Sequence, residues 1–286
     1  MYIYANGCSL TYGSELHDDL ITRICDNDVY RWNFAWPNRL KELLGADGVY
    51  NDGVPSGSND RIVRTTMKFI ASWLKCDLPR SGLLVVIGWT HPSRREWYVD
   101  GAFRQTLPTH GYSLRGLNRI VSAYRRYGVS RDDQQWRFAT QVLGLGGFLS
   151  THDIAYRFFH AIEATAVPAV LSVPAVCAPL RSPNFVCPDS SMVQYLKTVP
   201  GSTRVQHPSE AGHLAWARFL SQATPAQTIS TTSIPDIIAA GLPLLGGSRV
   251  TMRLDRKSSD HSRIRQWRAA RQARSERFAT DQFIYP

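Results

Sequence analysis

A serine near the start of the chain and a histidine much later are the residue types that acyl-transfer chemistry needs. Ser9 follows the apolar run Tyr2–Ala5 and the turn pair Asn6-Gly7, and His207 stands directly before a proline. A serine hydroxyl is a poor nucleophile until a base removes its proton, and histidine is the usual base near neutral pH. We therefore expect Ser9 and His207 to meet in space as nucleophile and general base.

The segments around these two residues alternate between strand and helix patterns. Strands alternating with helices favour right-handed βαβ units, and hence an α/β fold built as a three-layer α/β/α sandwich around a central parallel sheet. A hydroxyl just past the end of such a strand lies at the edge where open sheets bind ligands. We predict strands at residues 2–5, 48–51, 83–88 and 168–173, helices at 31–44, 60–74, 114–127, 132–165 and 209–222, a loop or short helix between Ser9 and Tyr30, and a functional loop at 89–111. The pair Gly146-Gly147 is a candidate break in the fourth helix, and Ser58 or Asn59 and then Ser209 are candidate helix caps.

Composition narrows the class of protein. The chain has 286 residues and 43% hydrophobic content, which suits one large domain with an ordinary core. We find no signal-peptide pattern and no apolar run of membrane-spanning length, so we expect a cytoplasmic protein without a membrane span. The five cysteines are widely spaced and include no CxxC pair, which favours reduced thiols and argues against a metal site. No cofactor is predicted.

The positive charge is concentrated near the end of the chain. The formal net charge is +10, and residues 253–277 hold nine Arg and Lys against three Asp and Glu, a net charge of +6. The composition also shifts to Thr, Ser and Pro from residue 224. We therefore predict a domain over residues 1–223 and a basic, helical extension over 224–286. Such a tail can contact nucleic acid, an anionic membrane surface or an acidic partner, or it can be a solvated helix that keeps the protein in solution.

Four short segments resemble, in the same order, the sequence blocks of the SGNH (GDSL-type) hydrolases. Residues 7–11, Gly-Cys-Ser-Leu-Thr, resemble the Gly-Asp-Ser-Leu block, with Cys8 at the family's Asp. Residues 51–59 resemble the second block and 88–91 fall where the third, Gly-x-Asn-Asp, belongs. Residues 207–212 are similar to the last block, His-Pro-x-x-x-Gly. The resemblance spans Tyr2 to about Leu220, leaves out the basic tail, and implies an SGNH-type (flavodoxin-like) fold.

The resemblance also implies roles for individual residues. Ser9 becomes the nucleophile and His207 the base. The backbone N–H groups of Ser9 and of Ser56 or Gly57 become oxyanion donors.

The third and last blocks depart from the family pattern. Thr90 occupies the position of the family's side-chain donor, so either its hydroxyl or the amide of Asn59 would supply that hydrogen bond, although Asn59 can equally be a cap or turn former. The family's Asp three residues before the histidine is Arg204 here. An arginine cannot accept the imidazole N–H, so a backbone carbonyl near Arg204 orients His207, or a distant acid such as Asp189 does, or activity is impaired. Losing the acid of a triad lowers the rate by about 10⁴-fold.

Several polar residues have plain structural interpretations as well. Cys8 beside Ser9 suggests a thiol nucleophile, but a cysteine at a strand end is more often a buried small hydrophobe. His213 fits a structural role in the closing helix. Arg94 or Arg95 can clamp an anionic substrate group, or both can belong to a salt-bridged loop.

We therefore predict a serine hydrolase, that is, an esterase, thioesterase or O-deacylase acting through an acyl-enzyme on Ser9. The substrate is a small-molecule or carrier-linked acyl group, with an anionic group favoured by the positive charge, and residues 253–277 are a candidate polyanion contact. The alternatives are an acyltransferase on the same site and an inactive SGNH-type fold that binds a ligand or nucleic acid.

Overall fold

The computed structural model describes residues 1–16, 28–107, 115–128, 130–165, 182–203 and 207–224. The strand predicted at 168–173, Arg204 and the basic segment 253–277 lie outside these described residues.

The described chain contains six strands and eight α-helices. The strands are β1 (Tyr2–Asn6), β2 (Gly48–Asn51), β3 (Leu83–Trp89), β4 (Arg95–Val99), β5 (Ala102–Thr106) and β6 (Ala155–His160). The helices are α1 (Ser9–Tyr12), α2 (Asp28–Phe34), α3 (Trp36–Leu44), α4 (Asn59–Lys75), α5 (Arg115–Ala123), α6 (Arg131–Thr151), α7 (Met192–Leu196) and α8 (Glu210–Gln222). A 3₁₀ turn at Arg80–Gly82 precedes β3, and a π-helical turn at Tyr124–Gly128 follows α5.

Four parallel strands form the central sheet in the order β2-β1-β3-β6. In register, Asn6 of β1 stands beside Ile87 of β3, and Trp89 of β3 stands beside His160 of β6. The chain leaves β1 toward β2 on one side and later returns to β3 on the other. The carboxyl ends of β1 and β3 therefore form a topological switch point, the place where open α/β sheets bind ligands.

Both faces of the sheet are covered by helices. Along β1, Tyr2 and Tyr4 pack with apolar residues of α4 and α6, whereas Ile3 and Ala5 pack with residues of α3, α7 and α8. Every residue of β3 is buried, as predicted for a central parallel strand. The protein is thus an α/β protein with a parallel sheet, compatible with the predicted three-layer arrangement.

Two predicted helix starts are confirmed by their caps. The Ser58 side chain accepts a hydrogen bond from the Arg61 N–H at 3.2 Å and begins α4. The Ser209 side chain accepts one from the Gly212 N–H at 3.2 Å and begins α8. Each cap satisfies an N–H group that the first helical turn leaves without a partner.

The helix predicted at 132–165 is wrong beyond Thr151. Helix α6 continues through Gly146-Gly147 and ends before Asp153, whose backbone is left-handed with a φ of 54°. The chain then enters β6, the outer strand of the central sheet. The charged residue Arg157 in the middle of this strand interrupts the apolar run that would otherwise predict a buried β-strand.

The Arg157 guanidinium is nevertheless buried. It donates to the Tyr156 carbonyl and to Asn184 Oδ1, both at 2.7 Å. These acceptors come from β6 itself and from residue 184, so the strand tolerates the charge because the surrounding fold supplies hydrogen bonds.

Two other predicted segments are organised differently. The helix predicted at 31–44 is two helices, because Ala35 is extended and caps α3, and Pro37 in the first turn has no N–H to continue a helix from α2. The loop predicted at 89–111 contains the antiparallel hairpin β4–β5.

A buried amide joins the end of β1 to α4. Asn6 Nδ2 lies 2.8 Å from Thr65 Oγ1 and 3.1 Å from Thr66 Oγ1, and Asn6 Oδ1 accepts the Gly7 N–H at 2.8 Å. Asn6 has no exposed surface. The amide therefore sets the direction in which the chain leaves β1 toward Ser9.

A neighbouring ion pair joins the end of β2 to the same helix. The Tyr4 hydroxyl donates to Asp52 Oδ2 at 2.8 Å, and Arg61 Nη2 donates to Asp52 Oδ1 at 2.9 Å. Burial, with the nearby Asp52 charge, holds the pKa of Tyr4 well above its ordinary value.

We expect Asn6→Ala to lower the free energy of unfolding by about 1–3 kcal/mol, because the buried partners of the amide lose their hydrogen bonds. Asn33→Ala replaces an exposed asparagine of α2 and should change the free energy by less than about 0.5 kcal/mol. Urea denaturation of both variants measures the difference. Equal stability of the two variants would show that the Asn6 amide is dispensable.

Candidate active site

A carboxylate that follows the Ser9 turn contacts the predicted base. His207 Nδ1 lies 2.9 Å from Glu15 Oε1, and the two side chains are only 19% and 17% exposed. The His207 Nδ1 atom makes no hydrogen bond of good geometry, so the contact is a close approach of the two groups that becomes an ion pair only when His207 is protonated. The Ser9 carbonyl accepts the N–H groups of Gly13 and Ser14, at 2.9 and 3.0 Å. Glu15 is the next residue, so its contact brings His207 beside the turn that carries Ser9.

Ser9 is the first residue of α1 and is partly exposed. Its N–H has no acceptor among the described residues, because no helical turn precedes it to offer a carbonyl. The preceding Cys8 caps α1 through its carbonyl, and its side chain is fully buried in the apolar cluster with α3 and α8. That burial agrees with the structural interpretation of Cys8.

The segment that carries His207 is held against residue 202 on one side. The Ser209 N–H donates to the Ser202 carbonyl at 2.8 Å, and Pro208 forms an antiparallel bridge with Thr203. A Cβ on Gly212 would lie 2.0 Å from the Ser202 oxygen. Glycine is therefore required there because backbone occupies the space of a side chain.

His213 has a structural contact, as predicted. It is fully buried, and its Nδ1 accepts the backbone N–H of Trp36 at 3.2 Å, which ties α8 to the start of α3. Burial, with a smaller effect of nearby His207, lowers the pKa of His213 to about 3. His213 is therefore neutral, and a protonated His207 does not face a second imidazolium.

The second block packs against the first. A Cβ on Gly57 would lie 2.9 Å from the Gly7 carbonyl oxygen, and that oxygen accepts the Val54 N–H at 3.2 Å. The Gly57 N–H, however, donates to the Val54 carbonyl at 3.1 Å. Ser56 is left-handed, with a φ of 59°. The turn is thus adjacent to the Ser9 segment, but the Gly57 N–H is already used within it.

The Asn59 amide joins the start of α4 to the end of β3. Its Nδ2 donates to the Thr90 carbonyl at 3.1 Å, and its Oδ1 accepts the Thr90 N–H at 2.9 Å. Both the nitrogen and the oxygen of the buried Asn59 amide are therefore already hydrogen-bonded. The Thr90 hydroxyl is buried too, but it has no hydrogen-bond partner among the described residues. Of the two predicted donors, Thr90 is therefore the one that is unoccupied.

The two candidate clamp arginines differ. Arg95 Nε lies 3.3 Å from Asp60 Oδ2, and its guanidinium lies over the rings of Trp97 and Tyr124. Arg94 Nη1 is buried and has no hydrogen-bond partner within the described part of the chain. Arg95 thus belongs to the structure of the hairpin, whereas Arg94 Nη1 has no such partner among the described residues.

Asp189, the acid suggested above for His207, lies elsewhere. It is exposed and near the buried His160, where burial lowers the histidine pKa to about 4 against the opposing effects of the Pro188 backbone and Asp189. The acid at His207 is Glu15. The sequence did not single out Glu15, because this residue lies in a segment whose apolar residues follow neither helix nor strand periodicity. The one available signal is a carboxylate a few residues after the candidate nucleophile.

A comparison with protein families finds one broad match. A family model described as a family of unknown function (DUF6071) matches residues 14–223, a range that includes Glu15 and His207. No curated protein matches the sequence.

Two further properties concern the whole described chain. No helix within it combines the length and apolar character needed to cross a bilayer. The same residues contain no group of three or more His, Cys, Asp or Glu side chains suited to hold a metal ion.

Gly212→Ala should displace the His207 segment, because the new methyl group would overlap the Ser202 carbonyl. We expect a loss of stability of about 1–3 kcal/mol, as for other overpacked positions. Gly147→Ala is the control, since nothing lies within 4 Å of a Cβ at this helical glycine, and the change should stabilise by about 0.5–1 kcal/mol. Thermal unfolding compares the two. Similar changes in the unfolding temperature of the two variants would show that the overlap with the Ser202 carbonyl does not destabilise Gly212→Ala.

Stability should fall as the pH drops below about 6.5, the ordinary histidine pKa. The pKa values of His160 and His213 are lowered in the folded protein, to about 4 and about 3. Below about pH 6.5 the unfolded chain therefore binds protons at these two side chains, whereas the folded chain does not until the pH reaches those lower values. Each histidine then contributes a slope of up to about 1.4 kcal/mol per pH unit. Urea unfolding between pH 7 and 4.5 measures it. His160→Gln should flatten the curve, and an unchanged pH dependence in that variant would contradict the prediction.

Proposed function

The chain belongs to this family of unknown function, and we propose that it is a serine hydrolase of the SGNH type, which cleaves an ester, thioester or O-acyl group through an acyl-enzyme on Ser9. The observation that supports the proposal is the contact of His207 with Glu15 directly after the Ser9 turn. This contact supports a site in which Ser9, His207 and Glu15 serve as nucleophile, base and acid at the switch point of the sheet.

In the proposed reaction, Ser9 Oγ attacks the acyl carbonyl and His207 Nε2 takes the hydroxyl proton. Glu15, on the Nδ1 side, holds the ring and stabilises the imidazolium that forms. The leaving alcohol or thiol then receives the proton from His207. Water attacks the acyl-enzyme by the same route and regenerates Ser9.

The charge that develops on the carbonyl oxygen needs hydrogen-bond donors. The Ser9 N–H is available for this purpose, and the unpaired Thr90 hydroxyl is the second candidate. Gly57 would have to give up its bond to Val54 to contribute. Arg94 supplies a positive charge whose Nη1 has no partner among the described residues, which favours a substrate with an anionic group.

The acid in this proposal does not precede the histidine in the chain. It follows the nucleophile, so one turn holds both the attacking group and the group that orients the base. This arrangement accounts for the arginine at position 204, because no acceptor is required there.

An inactive, ligand-binding fold is the second candidate. The observation that favours it is that the Asn59 amide and the Gly57 N–H are both engaged in the scaffold. An oxyanion site built from the Ser9 N–H alone would be weak, since each lost donor typically lowers the rate by about 100- to 1000-fold.

Ser9→Ala should remove most of the hydrolysis of p-nitrophenyl acetate, and Glu15→Gln should lower kcat by about 10²- to 10⁴-fold, because the ring loses its orienting charge. Glu42→Gln, at an exposed glutamate paired with Arg39, is the matched control and should keep full activity. Steady-state kinetics and circular dichroism of the three variants check this. Undiminished turnover in Ser9→Ala would exclude Ser9 as nucleophile.

Two measurements separate the alternatives. Product analysis with added alcohols or amines identifies an acyltransferase, because the acyl group then appears on the acceptor. A folded wild-type protein that takes no fluorophosphonate label at Ser9 at any pH, and hydrolyses no ester, supports the binding protein.

A further inference from the structure

A second serine, histidine and carboxylate lie together at the same edge of the sheet. Ser93 Oγ lies 2.6 Å from His91 Nδ1, and His91 Nε2 lies 2.7 Å from Glu163 Oε1. His91 is 35% exposed and Glu163 is 57% exposed, so a ligand can reach the set. None of these residues has a part in the Ser9 mechanism.

The sheet explains why these residues meet. His91 follows the end of β3 and Glu163 follows the end of β6, and these neighbouring parallel strands end in register at Trp89 and His160. The loops that leave them must therefore start side by side. The His91–Glu163 contact joins those two loops, which makes it a tertiary contact and not a feature of one turn.

The hydrogen bonds assign the state of the ring. The Ser93 backbone N–H donates to His91 Nδ1 at 3.1 Å, so this nitrogen carries a lone pair. The ring proton then lies on Nε2 and faces the Glu163 carboxylate. The Ser93 hydroxyl accordingly donates to a nitrogen that can accept its proton, with a carboxylate behind the ring.

We propose that Ser93 is a second reactive nucleophile, activated by His91 as base with Glu163 as its positioning acid, and that it accepts acyl groups from esters. Ser93 Oγ forms a bond to the acyl carbon while its proton passes to His91 Nδ1. The bond from the acyl carbon to the leaving oxygen breaks, and the leaving alcohol takes that proton. Water then cleaves the Ser93 ester in the same way.

The order of contacts on the ring is the reverse of the more familiar one, because the serine is at Nδ1 and the acid is at Nε2. The chemistry does not depend on which nitrogen serves as base, since a neutral imidazole has one donor and one acceptor in either tautomer. The backbone N–H at Nδ1 competes for the same lone pair, so we expect Ser93 to react more slowly than a fully assembled triad.

The test uses a fluorophosphonate probe, which forms a phosphorus–oxygen bond to an activated serine and releases fluoride. The full chain and its Ser9→Ala and Ser93→Ala variants are labelled, and the adducts are located by peptide mass spectrometry. We expect a Ser93 adduct in the full chain and in Ser9→Ala, and none at position 93 in Ser93→Ala. Ser72 is the matched control: this partly exposed serine donates to the Lys68 carbonyl, contacts no histidine among the described residues, and should stay unlabelled.

Two further variants test the roles of the partners. His91→Ala should lower the rate of Ser93 labelling at least tenfold, and added imidazole should restore part of it, which a purely structural role would not allow. Glu163→Gln should lower the same rate severalfold and leave any Ser9 adduct unchanged.

The two serines are read on separate peptides, so the experiment distinguishes the failure of one proposal from the failure of the other. A Ser93 adduct without a Ser9 adduct would support this inference and count against the proposed function. A Ser9 adduct without a Ser93 adduct would do the reverse. Labelling of Ser93 no faster than that of Ser72, in the folded full chain, overturns the inference even if Ser9→Ala fails to fold.

Discussion

Parallel pairing of β1, β3 and β6 is the constraint that places Ser9, His91 and Glu163 at one edge of the sheet. Parallel strands in register end at one edge of the sheet, so the loops that follow them are forced into proximity. Ser9 follows the first of these strands, His91 the second and Glu163 the third. The sheet therefore brings the candidate side chains together from distant parts of the chain.

Most buried polar groups at this edge are occupied by the scaffold itself. Asn6 and Asn59 tie α4 to β1 and β3, and Asp52 pairs with Arg61. Because an unpaired buried polar group destabilises a fold, such pairing is expected. Within the described part of the chain, the exceptions include the Ser9 N–H, the Thr90 hydroxyl and Arg94 Nη1.

Prediction from sequence succeeded where a short segment determines its own structure. The apolar runs of β1 and β3 and the serine caps of α4 and α8 are local patterns, and the structure has them where they were predicted. It failed at β6, where Arg157 interrupts the pattern, because the acceptors that make this arginine tolerable come from Asn184 and Ala223. A window of a few residues contains no information about such distant partners.

The sequence by itself determined the α/β alternation, the positions of the two central strands, and the residue types able to serve as nucleophile and base. Only the tertiary structure decided which carboxylate contacts His207 and that His91 has an acid of its own. The reason is physical: a contact such as Glu15 with His207 depends on where the chain between them travels, and a charge has no preferred partner until the fold brings one within a few ångströms.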